Sequence, residues 1–476
     1  MKNFEQIDRR KFLRTMTAAG LSAPLLARHL SADTVTPGRK LRHASFGASG
    51  MAWSDIQMIC SAGLVDLVAI AEVDLKRADE ARAMFPEARI YQDWRELLEK
   101  EADNIDSVNV STPDHMHGPI AMAAMLRGKH VYCQKPLAHD LYEVRKLTEY
   151  AREHQLTTQM GIQIHSEQPY LQAVTLVQSG VIGKIKEVYL WSNKKWGATG
   201  APPMQRDPVP AGLDWDVWLG TCADRPYSGD KYYHPGEWRR RLDFGTGTFG
   251  DMGCHIFDPV FSALALTAPL TVRSEGPPPD GWNWAINAKI EYVFPGTAYT
   301  AEDTIKFNWY DGDNLPPPDI LALVEETEVK PFVPSEEEPA PSAKVLARLR
   351  RRRRRGPGLP EQGSIFVGTD GVMLLPHFSE PVLFPEKKFE DFEIPKIKSG
   401  NHWIEWVEAC LGKGRTSTPF DYSGPLTETV LLGSVAVRFP HTTLEWDAPA
   451  LRFTNVAQAN AHVRRAYRSG WAVAGL

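Results

Sequence analysis

From Leu41 to about Gly161, short apolar runs alternate with segments of helical periodicity, an order that few folds accept. Arg42 to Phe46, Leu67 to Ala71, Ser107 to Val110, His130 to Tyr132 and Thr158 to Met160 read as strands. Ala78 to Met84, Trp94 to Lys100, Ile120 to Arg127 and Tyr142 to His154 read as the helices between them. The alternation predicts a parallel sheet with helices on both faces, whose ligands bind outside the carboxyl ends of the strands.

A chain of 476 residues exceeds one comfortable hydrophobic core, so a second domain is expected. After about Ile164 the texture changes to a helix near Tyr170 to Ser179, a strand at Ile185 to Ser192, a Trp/Pro/Gly-rich loop and a helix from Phe249 to Leu266. Alternating strands at Ala285 to Phe294, Thr304 to Tyr310 and Ser364 to Leu375 follow, predicting an α+β domain with a large antiparallel sheet covered on one face. Pro316 to Gln362 is Pro-rich, first acidic and then basic, and reads as a disordered insertion.

The formal charge is -5, but residues 1–32 carry six Lys/Arg against two Asp/Glu, so the remainder stands at -5 minus 4, or -9. That balance gives no general attraction to nucleic acid. Arg9-Arg10 ahead of a weakly apolar run from Met16 to Ala27 and a small-residue site at Leu30-Ser31-Ala32 reads as a twin-arginine export signal. It predicts a mature chain from about Asp33, periplasmic or extracellular and without a membrane anchor. Five cysteines lack CxxC spacing, which indicates neither a zinc site nor a disulfide framework, and no metal site is expected.

Gly47-Ala48-Ser49-Gly50-Met51-Ala52 fits G-x-G-x-x-G/A with Ser49 at the second glycine. The helix after it would point its N-terminal amides at phosphates. Glu72, about twenty residues on, would take the ribose hydroxyls and favour NAD; Asp74 adds to this, while Lys76 and Arg77 leave NADP open. Ser111, Thr112, Pro113 and His117 follow the next strand and would line the same crevice, Thr112 and His117 toward the nicotinamide half of the cofactor. Gln134-Lys135-Pro136 ends the strand after that, where an ammonium could stabilise a developing alkoxide. Asp251 and His255, at i and i+4, would share a helix face, the histidine as proton acceptor and the aspartate as its orienter or a hydroxyl ligand. Lys194, Lys195, Trp196, Tyr232, Tyr233, His234, Trp238 and Arg239 form a polar and aromatic set that suits a sugar, although core packing explains the aromatics equally well.

In their order along the chain these motifs resemble the Gfo/Idh/MocA family, named for glucose-fructose oxidoreductase and inositol dehydrogenase. The resemblance implies a Rossmann domain over residues 33–163 and an open-faced antiparallel sheet domain over 164–476 that commonly forms homo-oligomers. It implies NAD or NADP as cofactor, and Lys135, Asp251 and His255 as the catalytic lysine, aspartate and histidine. The usual Glu before that lysine is here Gln134, one negative charge fewer. Three functions are open: an NAD(P)-dependent dehydrogenase of a sugar or cyclitol, a redox-neutral glycosidase or lyase working through a transient keto-sugar, and a non-catalytic nucleotide-bound sugar binder.

Overall fold

The computed structural model describes residues 38–229, 231–324 and 359–476. The Arg9-Arg10 segment and most of the charged insertion lie outside the described residues. Six strands, β1 (Leu41–Phe46), β2 (Val65–Ala71), β3 (Arg89–Tyr91), β4 (Ser107–Val110), β5 (His130–Gln134) and β6 (Thr158–Gly161), form one sheet in the order β3-β2-β1-β4-β5-β6. Every neighbouring pair is parallel. Its helices are α1 (Met51–Cys60), α2 (Asp79–Met84), α3 (Trp94–Glu101), α4 (His117–Met125) and α5 (Leu141–Glu153). Side-chain caps fix two of their starts: Asp93 accepts from the Arg95 N–H, and Asp140 from the Glu143 N–H, both at 2.8 Å. Because β1 leads outward on one side and β4 on the other, the strand order reverses between them and opens a crevice there.

The second domain carries nine strands: β7 (Ile185–Ser192), β8 (Thr271–Ser274), β9 (Lys289–Pro295), β10 (Thr304–Asp311), β11 (Gln362–Gly368), β12 (Val372–Pro376), β13 (Val382–Phe384), β14 (Thr443–Asp447) and β15 (Arg452–Phe453). Their order is β13-β12-β11-β7-β10-β9-β8-β14-β15. The sheet departs from the antiparallel expectation at one pair, since β7 and β10 run parallel. Between them the chain makes the long loop with a short helix at Trp215–Leu219, a longer helix and the β8–β9 hairpin, a crossover long enough to bring β10 in from the same end as β7. Helices α6 (Gln168–Gln178), α7 (Gly247–Ala263), α8 (His402–Cys410) and α9 (Phe420–Ala436) complete the fold. Alternate residues of β9 and β10, including Tyr292, Phe294, Phe307 and Trp309, turn inward under α7, where Phe249 meets Trp309 with ring centroids 4.9 Å apart. The opposite face is not bare, because residues at both edges of the expected insertion pack on it. Pro318–Leu321 forms a helical turn, Val324 is buried beside Trp191 and Tyr310, and Leu359 joins them; β11 begins at Gln362. Within 316–362, then, both edges are folded.

After the second sheet the chain returns to the first domain, which a cut at 163/164 does not convey. Helix α8 packs on α1, and α9 packs on α5 and β6. The Arg145 guanidinium of α5 grips the Glu428 carboxylate of α9 through two hydrogen bonds of 2.7 and 2.8 Å. Trp406 of α8 is fully buried among Leu41, Ile59, Val65 and Tyr132, its ring 5.7 Å from that of Tyr132. Among the described residues no helix is long and apolar enough to cross a membrane. Trp406→Ala should therefore lower the unfolding free energy by about 3–5 kcal/mol, read from urea denaturation, although the residue lies outside the N-terminal half that builds the first sheet.

Candidate active site

The crevice at the β1/β4 reversal is a cleft of about 340 Å³. Its floor begins at Gly47, whose φ of +100° and crowding require glycine: a Cβ there would stand 2.8 Å from the Ser111 carbonyl oxygen and 2.9 Å from the Ala52 Cβ. Gly50, at φ +64°, opens α1, and Ser49 and Met51 line the cleft beside it. Glu72, buried at the end of β2, accepts the Ala48 N–H at 2.9 Å and the Asp74 N–H at 3.1 Å, which ties the glycine loop to the strand beside it. Burial pushes the Glu72 carboxyl up, against the pull of those amides and of Arg77. Asp74 itself does not line the cleft. Its carboxylate receives the ring of His234 at 3.1 Å, so a residue expected at the cofactor meets one expected at the substrate.

Ser111, Thr112, Pro113 and Gln134 all line the cleft. His117 does too, but its two ring nitrogens face the carbonyls of Pro136, at 2.7 Å, and Thr112, at 2.8 Å. Its polar atoms clamp the β4 and β5 loops together, so any contact with the nicotinamide half would be made by its ring carbons. Beneath these loops lies a residue the sequence reading passed over. Asp55 of α1, fully buried, accepts from Ser111 Oγ at 2.7 Å, from Gln134 Nε2 at 2.9 Å and from Trp403 Nε1 of α8 at 2.8 Å. Burial raises its carboxyl to about 6 even though all three donors favour the charge. Gln134 is thereby explained: an amide can donate to Asp55, whereas a glutamate would oppose it.

Lys135 Nζ donates to Asp251 Oδ1 and to the Asp251 carbonyl, both at 2.7 Å, joining β5 to the start of α7. The Arg239 guanidinium lies 3.5 Å from the same carboxylate oxygen. Burial disfavours the charge on Asp251, but these two cations outweigh it and hold the carboxyl well below the usual range. His255, one turn along α7, lines the cleft; burial, and then the Lys135 ammonium, push its imidazole down to about 3, so it stands neutral. Its Nδ1 is buried without a partner, which leaves Nε2 as the nitrogen open to the cleft. Cys254 beside it is buried, and burial pushes its thiol up to about 12, too high for a nucleophile.

Of the expected substrate residues, His234, Trp238 and Arg239 line the cleft and Lys195, Trp196 and Tyr233 do not. Lys195 is exposed and pairs with Asp313. Tyr233 is buried in an aromatic cluster with Trp215, Trp218 and Phe244. Trp196 stands outside, with the Arg239 and Arg240 guanidinium carbons each 5.6 Å from its ring centre. Neither Lys194 nor Tyr232 lines the cleft. Missed lining residues include Gln92, Trp94 and Trp218; Asp114, beside Pro113, also lines the cleft and accepts Thr246 Oγ1 at 2.7 Å, which anchors the loop ahead of α7. Among the described residues no group of three or more His, Cys, Asp or Glu side chains is placed to hold a metal ion.

Two family models match in succession. The Gfo/Idh/MocA model described as an oxidoreductase family, NAD-binding Rossmann fold, covers residues 41–162, and its companion, the C-terminal alpha/beta domain, covers residues 171–299. A levoglucosan dehydrogenase of Pseudarthrobacter phenanthrenivorans is 27% identical over 28% of this chain and 34% of its own length. An alpha-N-acetylgalactosaminidase of Shewanella oneidensis is 27% identical over 38% of this chain and 44% of its own. The chain thus matches less than half the length of these curated relatives. In fold it resembles the WlbA dehydrogenase of Bordetella pertussis, solved with NADH and UDP-GlcNAcA, with a TM-score of 0.57 at 13% identity over 86% of this chain and 98% of that one. An aldose-aldose oxidoreductase of Caulobacter crescentus complexed with glycerol gives a TM-score of 0.54 at 14% identity over 86% and 100%.

Two outcomes follow from the Asp55 network. Gln134→Glu should destabilise the protein by about 1–3 kcal/mol in urea melts, by losing a buried hydrogen bond and opposing two carboxyls, and adding Asp55→Asn should restore most of the loss. With a folded-state pKa of about 6 against an ordinary 3.8, Asp55 favours the fold fully below pH 4 and loses that contribution as pH rises toward 6. Stability measured between pH 4 and pH 7 should therefore fall less steeply in Asp55→Asn than in the wild type.

Proposed function

Because the chain belongs to the Gfo/Idh/MocA oxidoreductase family, with an NAD-binding Rossmann domain, we propose that it moves a hydride between a hydroxyl-bearing carbon of a sugar or polyol and NAD. The observation that carries this reading is the Lys135–Asp251 pair set beside a neutral His255 on one cleft wall.

The residues suit the cofactor. Gly47 leaves the floor open where any Cβ would close it, α1 presents its N-terminal amides, and each Glu72 oxygen keeps lone-pair capacity after its backbone bond. Bound NAD supplies the hydride acceptor. The chain supplies the rest. His255 Nε2 takes the hydroxyl proton, being neutral and open to the cleft. Lys135 stabilises the negative charge that grows on the oxygen, and Asp251 holds the ammonium in place. Trp238 and Arg239 form the adjoining wall and suit the CH face and hydroxyls of a carbohydrate or cyclitol.

The likeness to the Shewanella galactosaminidase favours a second reading. In it the same residues would assist hydride transfer from a ring carbon to bound NAD; the acidified neighbouring carbon would give its proton to a base while the glycosidic substituent leaves and is protonated, water would add to the double bond so formed, and the hydride would return to the ring carbon, so the net reaction is hydrolysis with no net redox change. The Arg9-Arg10 segment supports export of the folded protein with its nucleotide bound, where external recycling of cofactor is scarce, and this suits the redox-neutral course. Assembly through the second sheet is proposed from the family resemblance.

His255→Ala should cut turnover by roughly 10² to 10⁴ while nucleotide binding stays near wild type. Lys135→Ala should be comparably impaired, with added loss of substrate affinity. The assay follows reduced-cofactor absorbance and aglycone release together on a panel of sugars, polyols and glycosides. Wild-type turnover by both folded, nucleotide-loaded variants would refute the assignment.

A further inference from the structure

A second cavity, of about 400 Å³, lies behind the loop that leads into α7 and does not share the walls that carry Lys135 and His255. Its size is within the range of small-molecule sites. Its charges divide into those already answered and those left over. Arg465 is answered by Glu143 at 2.7 Å and lies 3.6 Å from Asp140; Asp243 is paired with Arg225. Arg438 and Arg464 are not answered: among the described residues neither guanidinium makes a hydrogen bond or ion pair. Each rests instead on a ring, Arg438 4.9 Å from the centre of Trp284 and Arg464 4.2 Å from the centre of Tyr142. Burial lowers the Arg438 guanidinium, with only Asp243 acting against it. The hydroxyl of Ser434, one turn before Arg438 and also on the wall, is buried without any partner.

A half-buried cation and a buried hydroxyl on one wall, a second cation at the rim and an indole beside them make a receptor for an oxyanion attached to a compact body. We infer that this cavity binds a small phosphate- or carboxylate-bearing molecule, with Arg438 and Ser434 as its principal ligands and Arg464 closing the rim. The site also bears on the catalytic helix. Trp284 donates to the Gly245 carbonyl at 2.7 Å, His139 approaches the same oxygen at 3.1 Å, and Thr246, on the cavity wall, reaches through to Asp114 of the first cleft. An occupant would press on the support of Asp251 and His255 without touching either. The inference goes beyond the proposed hydride transfer and does not depend on it.

The test is calorimetric titration of the nucleotide-loaded protein with inorganic phosphate at constant ionic strength, with a hexose monophosphate and a hexonate as further arms. The expected result is saturable binding of at least one of the three, weakened about tenfold or more by Arg438→Gln and by a smaller factor in Ser434→Ala. Whichever arm binds most tightly distinguishes a phosphate ester from a carboxylate or free phosphate. Arg438→Gln removes no hydrogen bond, so folding should survive; Arg464→Gln, at the exposed rim, serves as the second variant and should also weaken binding. No saturable binding in any arm, or affinities unchanged in these variants because the anion occupies the nucleotide cleft, would overturn the inference.

Discussion

The Asp55 carboxylate is the point at which four parts of the molecule are held together. It sits on the helix that follows the glycine loop and receives donors from the β4 loop, the end of β5 and the C-terminal helix α8. A buried charge of this kind is costly unless its lone pairs are filled, and here three side chains fill them. The shape of the nucleotide cleft is therefore set from below, by a network that no cofactor needs to touch. The same network bears on which residue precedes Lys135, because an amide at position 134 can donate to a carboxylate at position 55.

Above that floor Lys135 is placed by a different contact. Lys135 belongs to the first domain and Asp251 to the second, so their ion pair also joins the two domains across the cleft. Two cations around one carboxylate leave the immediate surroundings net positive. Burial first, and then the Lys135 ammonium, lower the proton affinity of His255, and the positive surroundings favour negative charge on a bound oxygen. Stability and chemistry draw on the same pair.

Most of the first domain was legible because its strands and helices differ in period and its chemistry-bearing residues fall at strand ends. Three-residue β3 was not, as it is too short to show a period. Helix α4 has no polar face because all nine of its residues are buried, and without that pattern its expected span, Ile120 to Arg127, began three residues late and ended two late against His117–Met125. Lys135, Asp251 and His255 do converge on one cleft, since a strand end and an i, i+4 pair are local features that survive folding unchanged. Asp55 gave no signal: an aspartate inside a helix looks like a solvated residue until Trp403, far along the chain, covers it. Three of the five ring-bearing residues in the substrate set, Trp196, Tyr232 and Tyr233, do not line the cleft, for the converse reason. Tyr233 and Trp196 have the composition of a sugar platform, but neighbours such as Phe244 and Arg239, which sequence spacing does not reveal, took them into packing. The parallel β7–β10 pair is likewise a property of connection length and not of either strand.

The return of the C-terminal segment changes how the chain can acquire its structure. Trp403 and Asp55 are 348 positions apart, and Arg145 and Glu428 are 283 apart, yet each pair closes a gap in the first domain. On a ribosome the first six strands emerge early, but the buttress behind the glycine loop is made last. Contacts of such long sequence separation are slow to form and leave apolar surface open meanwhile. Nucleotide captured by the nascent domain would meet an unfinished floor, so tight retention would require the completed polypeptide.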